Sequence, residues 1–140
     1  MIKKIIYFCC FLSILSCSET ELPPNCIRVD LPLNLTTDLN NPQLINAQVP
    51  GGFADLNGGI KGVLLFNLNG RDFVAYDKIC PQNDCDAPMT FEKGLVLKCS
   101  CDASEYSVHF GGAPQTDGFE CPAREYRVLQ SGSVIRITNF

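Results

Sequence analysis

The chain predicts an all-β fold, a small sandwich or barrel of antiparallel strands carrying two cysteine loops. Three observations support this. Apolar residues alternate with polar ones over short runs, and no stretch repeats them at helical spacing for two turns with a start or stop signal. Eleven glycines and nine prolines are spread between those runs. Asn69-Gly70 divides two β-rich runs, and such a pair is the strongest short-range hairpin signal because both residues tolerate positive φ.

From the N-terminus, Ile2-Lys3-Lys4 followed by the apolar run Ile5 to Leu15 predicts a signal peptide over residues 1–16. The run is too short to cross a bilayer as a helix, which needs about 20 apolar residues. It ends at Ile14-Leu15-Ser16-Cys17, which resembles a bacterial lipobox and marks Cys17 as the lipidation site. Residues 17–25 are acidic and proline-containing and suit a tether to the membrane. The expected folded domain is 26–140.

Within it, Ile27, Val29, Leu31 and Leu33 alternate with polar residues and Pro32, predicting an edge strand or strand end. Asn40-Asn41-Pro42 and Pro50-Gly51-Gly52 mark loops. Val63 to Leu68 and Asp72 to Asp77 form the hairpin about Asn69-Gly70. Further strands are expected over Leu95 to Lys98, Glu105 to Phe110, Arg124 to Leu129 and Val134 to Ile137, the last two joined by a turn at Gln130 to Ser133.

The 140 residues carry a formal charge of −4, and loss of the leader with Lys3 and Lys4 takes it to −6. Such a surface is a poor partner for nucleic acid. Of nine cysteines, Cys9 and Cys10 leave with the leader and Cys17 takes the lipid, so Cys26, Cys80, Cys85, Cys99, Cys101 and Cys121 remain. An even number in an exported domain predicts disulfides.

Four of the six lie in two short loops, Cys80-Pro-Gln-Asn-Asp-Cys85 and Cys99-Ser-Cys101-Asp-Ala-Ser104. The loops, with the strand Phe73 to Cys80, the aromatic Tyr106 and the segment Pro122 to Val128, resemble Rieske iron-sulfur domains from roughly Gly62 onward. The first family loop reads cysteine, any residue, histidine, two residues, cysteine. Here Gln82 stands at the histidine. The second reads cysteine, any residue, cysteine, histidine, glycine, serine, and here Asp102 stands at the histidine. The resemblance implies electron transfer by a 2Fe-2S cluster at Cys80, Gln82, Cys99 and Asp102. A Rieske centre, however, takes two thiolates and two imidazoles, and amide or carboxylate oxygen is a poorer substitute. A standard centre is therefore not expected.

The resemblance also implies a Cys85–Cys101 disulfide. The two remaining loop cysteines would share one iron in the family, which at a metal–sulfur distance near roughly 2.3 Å puts their sulfurs under about 4 Å apart. Without iron, a small adjustment makes Cys80–Cys99 a second disulfide. Cys26 and Cys121 are then left as a third pair. Two functions compete: an electron-transfer protein with a non-standard cluster held by Cys80 and Cys99, and a cluster-free, disulfide-stapled module that binds or scaffolds at the bacterial envelope, its protein or redox partner unknown. A structural zinc site is a further alternative, although four intervening residues and then one fit zinc-knuckle spacing poorly. Thiol–disulfide exchange is weaker still, because no Cys-x-x-Cys opens a helix. No serine, histidine and acid set supports an enzyme, the lone His109 is not at a ligand spacing, and Asp84, Asp86 and Asp102 are ordinary turn residues that could at most attract a cation.

Overall fold

The computed structural model describes residues 21–27 and 31–139. The expected leader over 1–16, Cys17 and the middle of the strand expected at 27–33 lie outside these residues. Among the described residues there are nine strands and one short 3-10 helix, and no helix is long and apolar enough to cross a membrane.

The first strand, β1 (Asn34–Asp38), begins where the expected one was to end. It pairs antiparallel with the last strand, β9 (Val134–Thr138), from Asn34 opposite Thr138 to Asp38 opposite Val134. Its sequence, Asn-Leu-Thr-Thr-Asp, is mostly polar because β1 is a sheet edge. The alternation at Leu31 and Leu33 belongs to the approach to that edge, where Asn139 substitutes for a strand neighbour: its side chain accepts from Leu33 N (2.9 Å) and donates to Leu31 O (2.7 Å). The expected loop at 40–42 leads into the 3-10 helix Pro42–Gln48, opened by the Asn41 side chain accepting from Gln43 N and by a proline in the first turn. It buries Leu44 and Ala47.

β2 (Phe53–Leu56), β3 (Val63–Asn67) and β4 (Phe73–Asp77) form a meander, and β8 (Glu125–Ser131) pairs with β4 on one side and β9 on the other. The resulting six-stranded sheet runs β1-β9-β8-β4-β3-β2. A second sheet of β5 (Thr90–Glu92), β6 (Val96–Lys98) and β7 (Glu105–Ser107) has the order of the chain. All pairings are antiparallel. β2 and β5 have little sequence signal because each is short and half exposed.

The hairpin at Asn69-Gly70 forms, but by different chemistry from a two-residue turn. Asn67 pairs with Phe73, leaving a five-residue connection. Only Gly70 has positive φ there, at 92°. Asn69 contributes its side chain instead, accepting from Arg71 N and Asp72 N. By contrast, β8 and β9 are joined by two residues, with Gly132 at φ 60°.

β3 is buried along its whole length, so Val63-Leu64-Leu65-Phe66 reads as a continuous apolar run. Leu64 and Phe66 pack with Tyr76, Met89, Leu97, Tyr106 and Val108, between the sheets. Val63 and Leu65 pack on the other face with Leu44, Ala54, Ala75, Tyr126, Ile135 and Ile137.

Asp77 ends β4 as a fully buried carboxylate with four donors. It accepts from Ile60 N (2.6 Å), Lys61 N (3.2 Å), Ile79 N (2.9 Å) and the Tyr126 hydroxyl (2.7 Å). Gly59 (φ 62°) passes so close that a Cβ there would lie 2.3 Å from the carboxylate. Burial, reinforced by the hydrogen bond and charge of Asp77, holds the Tyr126 phenol far above its ordinary range, so it remains a donor. Asp77 thus fixes the loop before β3 and the direction in which the chain leaves β4. Asp77→Ala is expected to cost about 3 kcal/mol or more in denaturant unfolding, because each orphaned buried donor costs roughly 1–3 kcal/mol, while Tyr126→Phe costs about 1 kcal/mol. Equal losses would show that the loop amides do not depend on this carboxylate.

Candidate functional site

Both cysteine loops hang from strand ends on the inner side of the sheets. The first leaves β4 and returns at β5. Its neck is closed by Met89 N donating to Lys78 O (2.6 Å), and Lys61 Nζ donates to Asp86 O (2.9 Å). Lys78 itself is fastened to Asp55 by an ion pair at 2.9 Å. The second loop joins β6 to β7 and closes on itself, with Cys99 N donating to Ser104 O and Ala103 N to Cys99 O, both 2.9 Å.

Disulfides join the loops twice. Cys80 is bonded to Cys99, with a Cα–Cα distance of 5.5 Å, and Cys85 to Cys101, at 6.0 Å. The inner bond is fully buried, at 1% and 0% exposure, among Leu64, Tyr76, Leu97 and Tyr106. In the outer bond Cys85 is buried and Cys101 exposed. A third disulfide, Cys26–Cys121, fastens the start of the described chain to the segment before β8, and Ile27 N donates to Pro81 O (2.8 Å) beside it. The sulfurs of Cys80, Cys85 and Cys99 all lie within 4.8 Å of one another.

Gln82 and Asp102, at the two histidine positions, do not turn toward an open site. Gln82 Oε1 accepts from Glu120 N at 3.4 Å, a long bond to the segment carrying Cys121. Asp102 is occupied on both oxygens: Oδ1 accepts from Ser104 N (2.9 Å) and Ser104 Oγ (2.5 Å), and Oδ2 from the Asn83 side-chain amide of the other loop. Burial pushes the Asp102 carboxyl upward, but the donors on Ser104 and Asn83 outweigh it and hold the group below the usual carboxylate range. The Ser104 hydroxyl continues to Tyr106 (2.9 Å). Asp102 therefore links the loops in polar fashion alongside the disulfides. In this pairing the four positions that hold a Rieske centre in the family offer no open donor set and do not fit one.

Ala103, at the glycine of the family pattern, has φ 61°, a conformation that costs a residue with a Cβ roughly 1–2 kcal/mol. His109 is exposed in a turn after β7, since that strand stops at Ser107 rather than continuing to Phe110, and its ring meets Phe66 edge-on at 5.1 Å. Asp84 and Asp86 are exposed, and neither they nor His109 join the group formed by the three sulfurs. Sequence reasoning missed Asn83, whose role depends on a partner nineteen residues away, and Ser100, which lies 3.7 Å from the Cys85 sulfur. Asp77 was legible in principle as a lone acid closing an apolar strand.

No family model matches the chain, and no curated protein does. Among solved structures it is similar to the ferredoxin of carbazole 1,9a-dioxygenase from Nocardioides aromaticivorans IC177, at 19% identity over 81% of this chain and 96% of that one, with a TM-score of 0.46. It is also similar to the Escherichia coli protein NirD, at 12% identity over 76% of this chain and 97% of that one, with a TM-score of 0.45.

Two outcomes are expected. Ala103→Gly raises stability by about 1 kcal/mol, because it relieves the left-handed alanine; an unchanged denaturation midpoint would show that the loop does not hold this conformation. Asp102 contributes stability above the ordinary carboxylate pKa near 3.9 and loses it as pH falls through its lower folded value. Asp102→Asn should therefore narrow the loss of stability on acidification relative to the native chain, read from unfolding between about pH 6 and 2. Parallel curves would remove the inter-loop role of the charge.

Proposed function

We propose that the chain is a lipid-anchored protein of the bacterial envelope whose β fold is Rieske-like but carries no cluster, its stapled loops forming a rigid tip that binds or scaffolds at the membrane surface. The observation that carries this is the pairing of Cys80 with Cys99 beside Cys85–Cys101, with Gln82 and Asp102 both hydrogen-bonded to protein groups. Four cysteines at the family spacings support the relation, and the loss of both imidazoles opposes the cofactor. The charged start, apolar run and Cys17 support the anchor. An oxidising compartment is in keeping with three disulfides among the described cysteines. Two short-span disulfides contribute roughly 3 kcal/mol each by chain entropy, and the one closing 95 residues somewhat more, which is much of the stability of a fold this small.

A second reading has one observation in its favour. Three buried sulfurs gathered within 4.8 Å would, once reduced, suit a soft metal ion, so iron held by Cys80 and Cys99 with a neighbouring donor is the alternative, and zinc the next. Iron and acid-labile sulfide, measured with the visible spectrum on protein matured in its own compartment, separate the two. The proposal expects neither iron nor charge-transfer bands. Stoichiometric iron and sulfide would replace it with electron transfer, and stoichiometric zinc with a structural metal site.

A further inference from the structure

The two loop disulfides are adjacent, and that adjacency gives them a chemistry neither has alone. The inner bond is sealed, with both cysteines essentially without exposure. The outer bond has one exposed member, Cys101, and one buried member, Cys85. Cys85 Sγ lies within 4.8 Å of both Cys80 Sγ and Cys99 Sγ, whereas Cys26 and Cys121 stand outside the group. Ser100 Oγ is 3.7 Å from Cys85 Sγ, and since the bonded sulfur has no proton, the hydroxyl is the donor.

We propose that the loops form a two-disulfide relay that passes reducing equivalents from an external dithiol protein, entering at Cys101, through Cys85 to the buried Cys80–Cys99 bond. This rests on the cluster-free reading, because iron on Cys80 and Cys99 would remove the inner disulfide. In the first step a thiolate of the dithiol attacks Cys101 Sγ; a mixed disulfide forms, the Cys85–Cys101 bond breaks, and its electron pair leaves on Cys85. A thiolate is the species that attacks a disulfide, and Cys85 is released next to the only disulfide within its reach in the sulfur group. In the second step Cys85 attacks one sulfur of Cys80–Cys99, forming a bond to it and expelling the other as a thiolate, which takes up a proton. The second thiol of the dithiol then displaces Cys101 from the mixed disulfide. The dithiol is oxidised by two electrons to its own disulfide. The protein gains two thiols, Cys101 and one of Cys80 or Cys99, and Cys85 carries the bond that moved.

Cys85 is buried, so a hydrogen-bond donor beside its sulfur matters to the rate at which it leaves and attacks. Ser100 supplies that donor. It is a positioning residue, and Ser100→Ala should slow the transfer without altering the disulfides at rest.

The test is a non-reducing peptide map of Cys101→Ser, with free thiols alkylated under acid quench. The relay expects loss of part of the Cys80–Cys99 peptide, with Cys85 appearing bonded to Cys80 or Cys99 and the alkylation tag on the cysteine released. A tag confined to Cys85 with the Cys80–Cys99 peptide intact overturns it. Should this variant fail to fold, the native chain treated with one equivalent of dithiothreitol gives the same decision: tags reaching Cys80 or Cys99 support the relay, and tags confined to Cys85 and Cys101 overturn it. Cys85→Ser should keep Cys80–Cys99 closed under that treatment. Failure of the cluster-free reading has a separate sign, since the untreated native chain would then lack the Cys80–Cys99 peptide altogether.

Discussion

Cys80 follows the end of β4 and Cys99 follows the end of β6, so the bond between them crosses from the six-stranded sheet to the three-stranded one at the base of both loops. Much of the surrounding structure depends on that crossing. A three-stranded sheet of three-residue strands has little ladder to stabilise it, and it is kept in place by what it packs against. Leu97 and Tyr106 supply the apolar contact, Tyr76 donates to Val108 O at 3.1 Å, and the buried disulfide adds a covalent limit on how far the sheets can part. The same bond sets the separation at which Cys85 meets Cys101 and Asn83 meets Asp102.

Around this bond two carboxylates are tied down by hydrogen bonds. Asp77 below the loops has four donors, and Asp102 between them has three. These carboxylates do different work. Asp77 directs the backbone as it leaves β4, whereas Asp102 joins the tips of two loops from different sheets. At the position where Rieske domains place an imidazole, this chain therefore has a residue with a structural task, and that task occupies both of its oxygens.

Much of this was legible in the residues, and what was not has physical causes. The runs 63–67, 73–77, 125–131 and 134–138 lie in the large sheet and carry either unbroken apolar character or alternation, because burial there is continuous or one-sided. β1 has little apolar signal because an edge strand tolerates polar residues, and the alternation at Leu31 and Leu33 marks only the approach to it. β7 was expected to reach Phe110, but Val108 to Phe110 turn so that Val108 enters the core while His109 and Phe110 stay exposed. At the site, the spacing of Cys80, Cys85, Cys99 and Cys101 singled out the loops, and the absence of histidine at 82 and 102 was plain. The partners of Asp102, the left-handed Ala103 and the closeness of Cys85 to the inner disulfide depend on how two loops meet in space, which no local pattern encodes.

The central claim is one covalent bond, that between Cys80 and Cys99, in the protein as its own cell makes it. A disulfide map of the native chain, with thiols blocked at lysis and peptides separated without reductant, reads that bond directly. The account predicts a peptide linking Cys80 to Cys99 in full yield, together with Cys85 to Cys101 and Cys26 to Cys121. Free or metal-protected thiols at Cys80 and Cys99 would contradict it.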